Sequence, residues 1–318
     1  MMRRLRSRSY AFAFALCAAL LVANVAAQPK FASPGNWALT LATFAPFAVA
    51  AMASTPAILS GGGGIDISIG PSLTLVNIVI VADLLPHGLG APQVVIPVCL
   101  LIGAAIGAVN GLLVAVFRFQ PVVATLCANF ILTGLATQVA GTTTPTGSVW
   151  WTNDLAGSFG PVPGALITIG VPLLIWYGLS RTAYLKNLYA VGGDDATAFS
   201  AGVDVTRVRV LAYTIGGLFA GIAGLALMAV IREGQADLAT QYTLIALAAV
   251  ALGGTSLSGK RGSLYGSLLG AGCIFLIENL LNEVNASALW ADAIYGALLV
   301  AAVILSGILS GSATEAAS

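Results

Sequence analysis

From residue 10 to residue 310 the chain is a succession of apolar runs separated by short turns. They read at about 10–28, 37–59, 69–85, 92–117, 121–140, 163–180, 208–231, 242–252, 264–281 and 290–310. Twenty apolar residues wound as a helix measure about 30 Å, the thickness of the hydrocarbon layer of a bilayer. Only 8% of the residues are charged, against about 25% in soluble domains, so the chain cannot cover a large surface facing water. Lipid is the solvent it suits. The eighth run is too short to span alone and is expected to borrow neighbours or to belong to a broken helix. The pattern predicts an all-α, polytopic membrane helical bundle of about ten transmembrane helices, a single domain over residues 1–318.

The amino end, MMRRLRSRSYAFAFALCAALLVANVAAQP, has the basic start, short apolar run and small-residue end of a secretory signal. It reads equally as a first helix, about 10–28, that stays in place. Charge placement favours the second reading. With the amino end inside, Arg3, Arg4, Arg6, Arg8, Arg118, Arg181, Lys186, Arg207, Arg209, Lys260 and Arg261 fall on the cytoplasmic side. Only Lys30 and Arg232 fall outside, so eleven of the 13 basic residues share one side, as the positive-inside bias requires. Both termini are then cytoplasmic, with a short tail at 311–318, in a plasma (inner) membrane.

Three polar or glycine-rich interruptions stand out. LSGGGGIDISIGPSL (59–73) and LGGTSLSGKRGSLYG (252–266) break the helical pattern with residues that cost about 1 kcal/mol each relative to alanine in a helix. Irregular backbone at membrane depth survives only where it is buried in protein or lines a watery cavity. An intramembrane carboxylate such as Asp66 faces a pathway or a partner. These are candidates for unwound segments, and a cytoplasmic turn capped by Asp66 is the plain alternative. The third, SRTAYLKNLYAVGGDDATAFSAGVDVTRVR (180–209), is the most polar stretch. Its DDATAFSAG core predicts a short helix, with Asp194 and Asp195 in the first turn and Gly202 at the stop. The surrounding Gly192, Gly193, Ala196, Ala198 and Ala201 admit another backbone closely, as a partner-docking element needs. The outer loop 141–164 lacks Lys and Arg and carries Trp150 and Trp151 as interfacial anchors or partner contacts. Gly103, Gly107 and Gly111, and Gly217, Gly221 and Gly224, give small faces for close helix contact.

Chemistry is sparse. Cys17, Cys99, Cys127 and Cys273 lie apart in apolar runs without CxxC or Cys/His spacing, as small apolar fillers do. One histidine, His87, sits on an outer loop, so no nucleophile–His–acid set can be assembled. SLSGKRGS (256–263) lacks the glycine spacing and the Ser/Thr of a P-loop, so no cofactor is expected in this chain. A net charge of +1 gives no field for nucleic acid. Asp66, Asp83, Glu278 and Asp292 are the acidic residues near helix bodies or ends, few for an ion-coupled carrier. The balance favours a partner that supplies energy through the 180–209 segment.

Several ordered motifs carry a family resemblance from about residue 37 to 310. GGIDISIG (63–70), GAVNG (107–111), ATL (124–126), AVGGDDATAFSAGVDV (190–205) and LAAVALGGTSLSGKRGSLYGSLLGA (247–271) resemble the permease subunits of bacterial ABC importers for monosaccharides, of the ribose/xylose/galactofuranose type. The resemblance implies a BtuC-like (type II) permease working as a homo- or heterodimer. It also implies cytoplasmic ATPase subunits that hold ATP and Mg, and a periplasmic solute-binding protein. It makes about 181–207 the coupling segment, with Gly192, Gly193, Asp194, Ala198, Gly202 and Val203 against the ATPase. With the glycines read as unwinding a helix near the translocation pathway, Asp66, Ser68, Asn110, Thr125 and Asn129 are expected to face that pathway. Asp194 and Phe199 replace the family's usual asparagine and basic residue, and Thr243 and Ile245 stand where acidic residues are common. A branched-chain amino acid permease of the same architecture, an ion-coupled secondary transporter and a non-transporting scaffold are the alternatives.

Overall fold

Nine of the apolar runs contain a helix, and the loops between them hold three more. The computed structural model describes residues 2–141, 145–259 and 261–284, with scattered positions from 290 to 300. Most of the tenth run, Asp292 and the tail at 311–318 lie outside the described residues. In chain order the helices are α1 (Met2–Ala27), α2 (Trp37–Leu59), α3 (Ile69–Ile78), α4 (Pro92–Ala115), α5 (Pro121–Ala140) and α6 (Trp150–Ala156). A two-stranded hairpin, β1 (Ser158–Phe159) and β2 (Val162–Pro163), precedes α7 (Ala165–Ser180), α8 (Ala183–Gly193) and α9 (Asp195–Ser200). α10 (Val205–Ile231), α11 (Leu238–Leu252) and α12 (Leu264–Glu283) complete the set.

Fewer of these helices are individually long enough to cross a membrane than the ten runs suggest. Among the described residues five qualify, ending at Leu59, Ala115, Ala140, Ile231 and Glu283, and a sixth arises if α7 and α8 are one span bent by 86°. Residues 12–27 of α1, 69–84 and α11 are shorter apolar helices. The shortfall has a local cause. The chain enters α3 from irregular backbone, and α11 begins only at Leu238. Past Ile78 the hydrogen bonding loosens to a π-helical stretch, Val79–Leu84, where the Leu85 amide reaches the Ile80 carbonyl at 2.9 Å.

α10 and α2 form the axis of the bundle, most of their length shut away from the surface, while most of α5 faces outward. α10 makes its most extensive contact with α4, and glycine makes it possible. A Cβ on Gly217 would stand 2.1 Å from the Gly103 carbonyl oxygen, and one on Gly107 would stand 2.2 Å from that of Tyr213. Phe47 packs edge-on against Tyr242 and Phe275, at 5.6 and 5.8 Å between ring centres, tying α2 to α11 and α12. The outward faces of α4 and α5 present Leu101, Val109, Phe130 and Ile131, as lipid-facing or subunit-facing helices do. Cys99 and Cys273 are buried fillers, whereas Cys127 is exposed.

α1 is fastened by polar groups. Asn24, wholly buried, donates its amide to the Leu20 carbonyl at 2.8 Å and to Leu276 of α12 at 3.0 Å. Its Oδ1 accepts from Asn279 at 2.7 Å, and Gln28 donates to Glu283 at 2.5 Å.

The loops hold structure that apolar periodicity did not reveal. α8 buries Leu185, Leu188, Val191 and Gly192, a helical spacing hidden in a polar stretch. In the 141–164 loop Trp151 is a core residue, donating its indole N–H to the Gly90 carbonyl at 2.8 Å, so only the exposed Trp150 retains the role of surface anchor or contact. Across that side the Gly147 amide bonds to the Arg232 carbonyl at 3.1 Å and that of Gly234 to Pro145 at 2.9 Å. His87, exposed, contacts Asp83 one turn back.

Two outcomes follow. Gly217→Leu must push α10 off α4, so it should lower the midpoint of thermal unfolding in detergent far more than Gly134→Ala, whose Cβ would meet no atom within 4 Å. Asn24→Leu should destabilise by about 1 kcal/mol, in line with interhelical hydrogen bonds in membranes; the same assay reads it.

Candidate functional site

The glycine run ends α2 and holds the chain open for nine residues, 60–68. Gly61, Gly62 and Gly63 adopt φ of +73°, +62° and +71°, left-handed backbone that side chains strongly resist. Gly64 is fixed by space instead, since a Cβ there would lie 2.3 Å from the Ala57 carbonyl oxygen. Residues 65–68 are therefore irregular and buried or half-buried, and their peptide groups need partners other than a helical ladder.

Side chains supply them. Asp66, 2% exposed, accepts from the amide and the hydroxyl of Ser68 at 2.9 and 2.6 Å. Asn110 of α4 donates to the Ser68 hydroxyl at 2.7 Å. From α5, the Thr125 hydroxyl accepts from the Ile67 amide at 3.2 Å and lies 3.2 Å from the Ile65 carbonyl, and Asn129 donates to the Ile67 carbonyl at 3.1 Å. Thr243 of α11 reaches that same carbonyl at 3.2 Å. The five residues singled out in the sequence, Asp66, Ser68, Asn110, Thr125 and Asn129, thus meet at one break, joined by Thr243. Asp66 also closes an Asx-type turn, accepting from the amide two residues on just before α3, but it does not cap that helix, whose N-cap is Ser68 with no side-chain cap bond.

This knot is a holding device. All its members except the half-buried Asn129 are shut from solvent. Two polar atoms beside it are buried with no partner among the described residues, Asn110 Oδ1 and the Tyr213 hydroxyl. Thr243 drew notice in the sequence only as a substituted acidic position. Its hydroxyl also crowds Gly70, whose Cβ would stand 2.3 Å from it and 1.9 Å from the Ala239 carbonyl oxygen, so α11 lies directly on the start of α3.

The polar segment forms a second centre. Asp194 caps α9, accepting from the Thr197 amide at 2.8 Å. Gly202, at φ +82°, ends it, and the Val203 amide returns to the Ala198 carbonyl at 3.0 Å. Ala198 is buried with the main core and Val203 packs against it, while Phe199 is 72% exposed. Gly193 has open space around its Cβ position. Gly192 does not: a side chain there would meet the Leu59 carbonyl at 2.0 Å and that of Gly259 at 2.8 Å. Of the six residues assigned to coupling, Gly193, Asp194 and Gly202 therefore lie on the surface, whereas Gly192, Ala198 and Val203 hold α9 to the bundle. Arg209 pairs with Asp195 at 2.8 Å, a half-exposed contact of the kind worth about 0.2–1 kcal/mol. An open groove of about 530 Å³ beside α9 is lined by Phe199 and residues 202–206. Among the described residues no cluster of His, Cys, Asp and Glu could hold a metal ion.

Residues 36–303 match the family described as "Branched-chain amino acid transport system / permease component". The chain belongs to this permease family. It is 33% identical over 285 residues to the ribose import permease protein RbsC of Escherichia coli (strain K12), covering 87% of each chain. It is 30% identical over 301 residues to the fructose import permease protein FrcC of Rhizobium meliloti, covering 91% of this chain and 82% of the relative. The D-allose transport system permease protein AlsC of Escherichia coli (strain K12) is 30% identical over 249 residues, 78% of this chain and 76% of the relative. No solved structure matches the chain significantly. Membership makes the chain a membrane permease component with no catalytic role of its own, and the sites above are those of a permease.

Asp66→Asn keeps an oxygen to accept from Ser68 and should leave unfolding in detergent nearly unchanged. Asp66→Ala strands the Ser68 amide and should cost about 1–3 kcal/mol, the penalty for a buried polar group without a partner.

Proposed function

We propose that the chain is the membrane permease subunit of an ATP-driven ABC importer that moves a monosaccharide or related polyol across the inner membrane. Its likeness to sugar import permeases over most of its length carries this reading. A periplasmic binding protein delivers the solute, and a second permease, identical or related, completes the passage. Separate cytoplasmic ATPase subunits, holding ATP and Mg, dock on α9 around Gly193, Asp194, Phe199 and Gly202. Phe199 stands exposed beside an open groove lined by residues 202–206, which leaves room for a partner at that surface. With docking there, both termini lie in the cytoplasm. In this reading the unwound segment 60–68 borders the solute path, and Asp66, Ser68, Asn110, Thr125 and Asn129 hold its backbone in place.

Being a component of a multi-part transport system argues against a self-contained ion-coupled carrier. The description of the matched family names branched-chain amino acids, so that solute class is the second reading.

A mild-detergent pull-down of the tagged chain from its host, followed by mass spectrometry, tests the proposal. The native chain should retain an ATPase subunit, and Gly193→Leu/Phe199→Arg should lose most of it while unfolding at the same temperature. Gly192 is unsuitable for this control because any side chain there strikes backbone. Retention by both forms would move docking off α9, and absence of any ATPase would overturn the importer reading. Sugars competing for labelled solute on the neighbouring binding protein would support the sugar assignment; competition by leucine alone would reverse it.

A further inference from the structure

Three chain segments that lie far apart in sequence meet at the inner end of the glycine break. A Cβ on Gly259 would be 2.4 Å from Cα of Gly61, and one on Gly61 would be 2.8 Å from Cα of Gly192. Gly61 belongs to the break, Gly192 lies two residues before the cap of α9, and Gly259 belongs to the α11–α12 turn. Tyr189 adds a bond from α8 to that turn, donating its hydroxyl to the Gly262 carbonyl at 2.9 Å. Backbone here rests on backbone with no side chain between, so displacement of one segment is passed to the next without the slack of a rotamer change.

One side chain spans the same junction. Arg209, near the start of α10, places Nη2 2.8 Å from the Asp195 carboxylate, on the first residue of α9. The same nitrogen would lie 2.7 Å from a Cβ on Gly62. Its guanidinium therefore stacks closely over the unwound backbone while holding the docking helix. The Arg209 side chain is only 18% exposed, whereas that of Asp195 is 52% exposed, so the cation is the buried half of the pair. One helical turn further on, Tyr213 is wholly buried beside Ala57 of α2 and Val114 of α4.

We propose that Arg209 is the positioning residue that links the docking helix to the unwound segment, so that movement of α9 changes the exposure of residues 60–68. This rests on α9 being the ATPase-docking element. An ion pair this open to water is too weak to hold the fold, whereas its geometry fixes the distance between two elements that must move together. The three-glycine junction gives the contact its stiffness, and the Arg209–Asp195 pair gives it direction.

The test uses the assembled transporter in detergent with all four native cysteines replaced and Ile67→Cys as the only reporter. Ile67 is half-buried within the break. Maleimide labelling is timed without nucleotide and with a non-hydrolysable ATP analogue plus magnesium. With Arg209 and Asp195 native, the rate should change at least about fivefold between the two states, the lower end of usual site-to-site couplings. Arg209→Asp and Asp195→Arg should each retain the ATPase yet abolish the change, and the double reversal should restore most of it. A structural role alone would not give that rescue. If the native complex shows no change, or either single reversal still responds fully, the link through Arg209 is wrong. If the double reversal fails to rescue, the pair is not the contact that matters. Failure of the native chain to retain the ATPase would instead defeat the docking assignment on which the link depends.

Discussion

Peptide groups that leave a helix inside a membrane protein must be satisfied by the protein itself, and the rest of this structure is arranged around one such place. Between Leu59 and Ile69 the chain gives up its helical ladder. Residues 65–68 of that stretch are buried or half-buried, and α5 and α11 supply Thr125, Asn129 and Thr243 to them. Those three side chains fix where α5 and α11 stand relative to α3. Asp66 and Ser68 then turn the chain into α3, and Asn110 brings in α4. A polar requirement of a few residues therefore sets the relative positions of four helices.

Close approach is the second constraint, and it follows from the first. Short polar side chains reach foreign backbone only if the helices come within a few ångströms, and lipid offers no hydrophobic force to drive them together. Absent side chains at Gly103, Gly107 and Gly217 let α4 and α10 touch along their backbones. Gly61, Gly192 and Gly259 do the same where the break, α8 and the α11–α12 turn meet.

Much of this was legible in the sequence. Nine apolar runs map onto helices because a long apolar stretch in a membrane protein must pair its own peptide groups, and a helix does so within the segment. The short helix α9 was readable from Asp194, Asp195 and Gly202, whose preferences are local, with Asp194 standing one residue earlier than expected, as the cap and not in the first turn. The glycine run and Asp66 marked the break, and the five polar residues chosen beside it do converge. The partners of that convergence were less visible: Thr243 lies 176 positions from Ile67, and nothing local in its neighbourhood announces the contact. α8 was hidden because its apolar spacing is short and mixed with Lys186 and Asn187. Gly192 looked like a surface element and proved to be a buried spacer, since glycine serves both purposes and only the opposing backbone distinguishes them. Trp151 was misplaced for a similar reason, as an indole suits a headgroup layer and a core equally.

The clasp between α1 and α12 bears on how the protein is made. Asn24 emerges from the ribosome 255 residues before Asn279, a wait of about 13–50 s at ordinary rates of synthesis. Of its bonds in the finished structure, only the one from the amide to the Leu20 carbonyl of its own helix can form during that interval. α1 is therefore made with an unfinished polar contact and is held in its final seat only when α12, made late in synthesis, arrives.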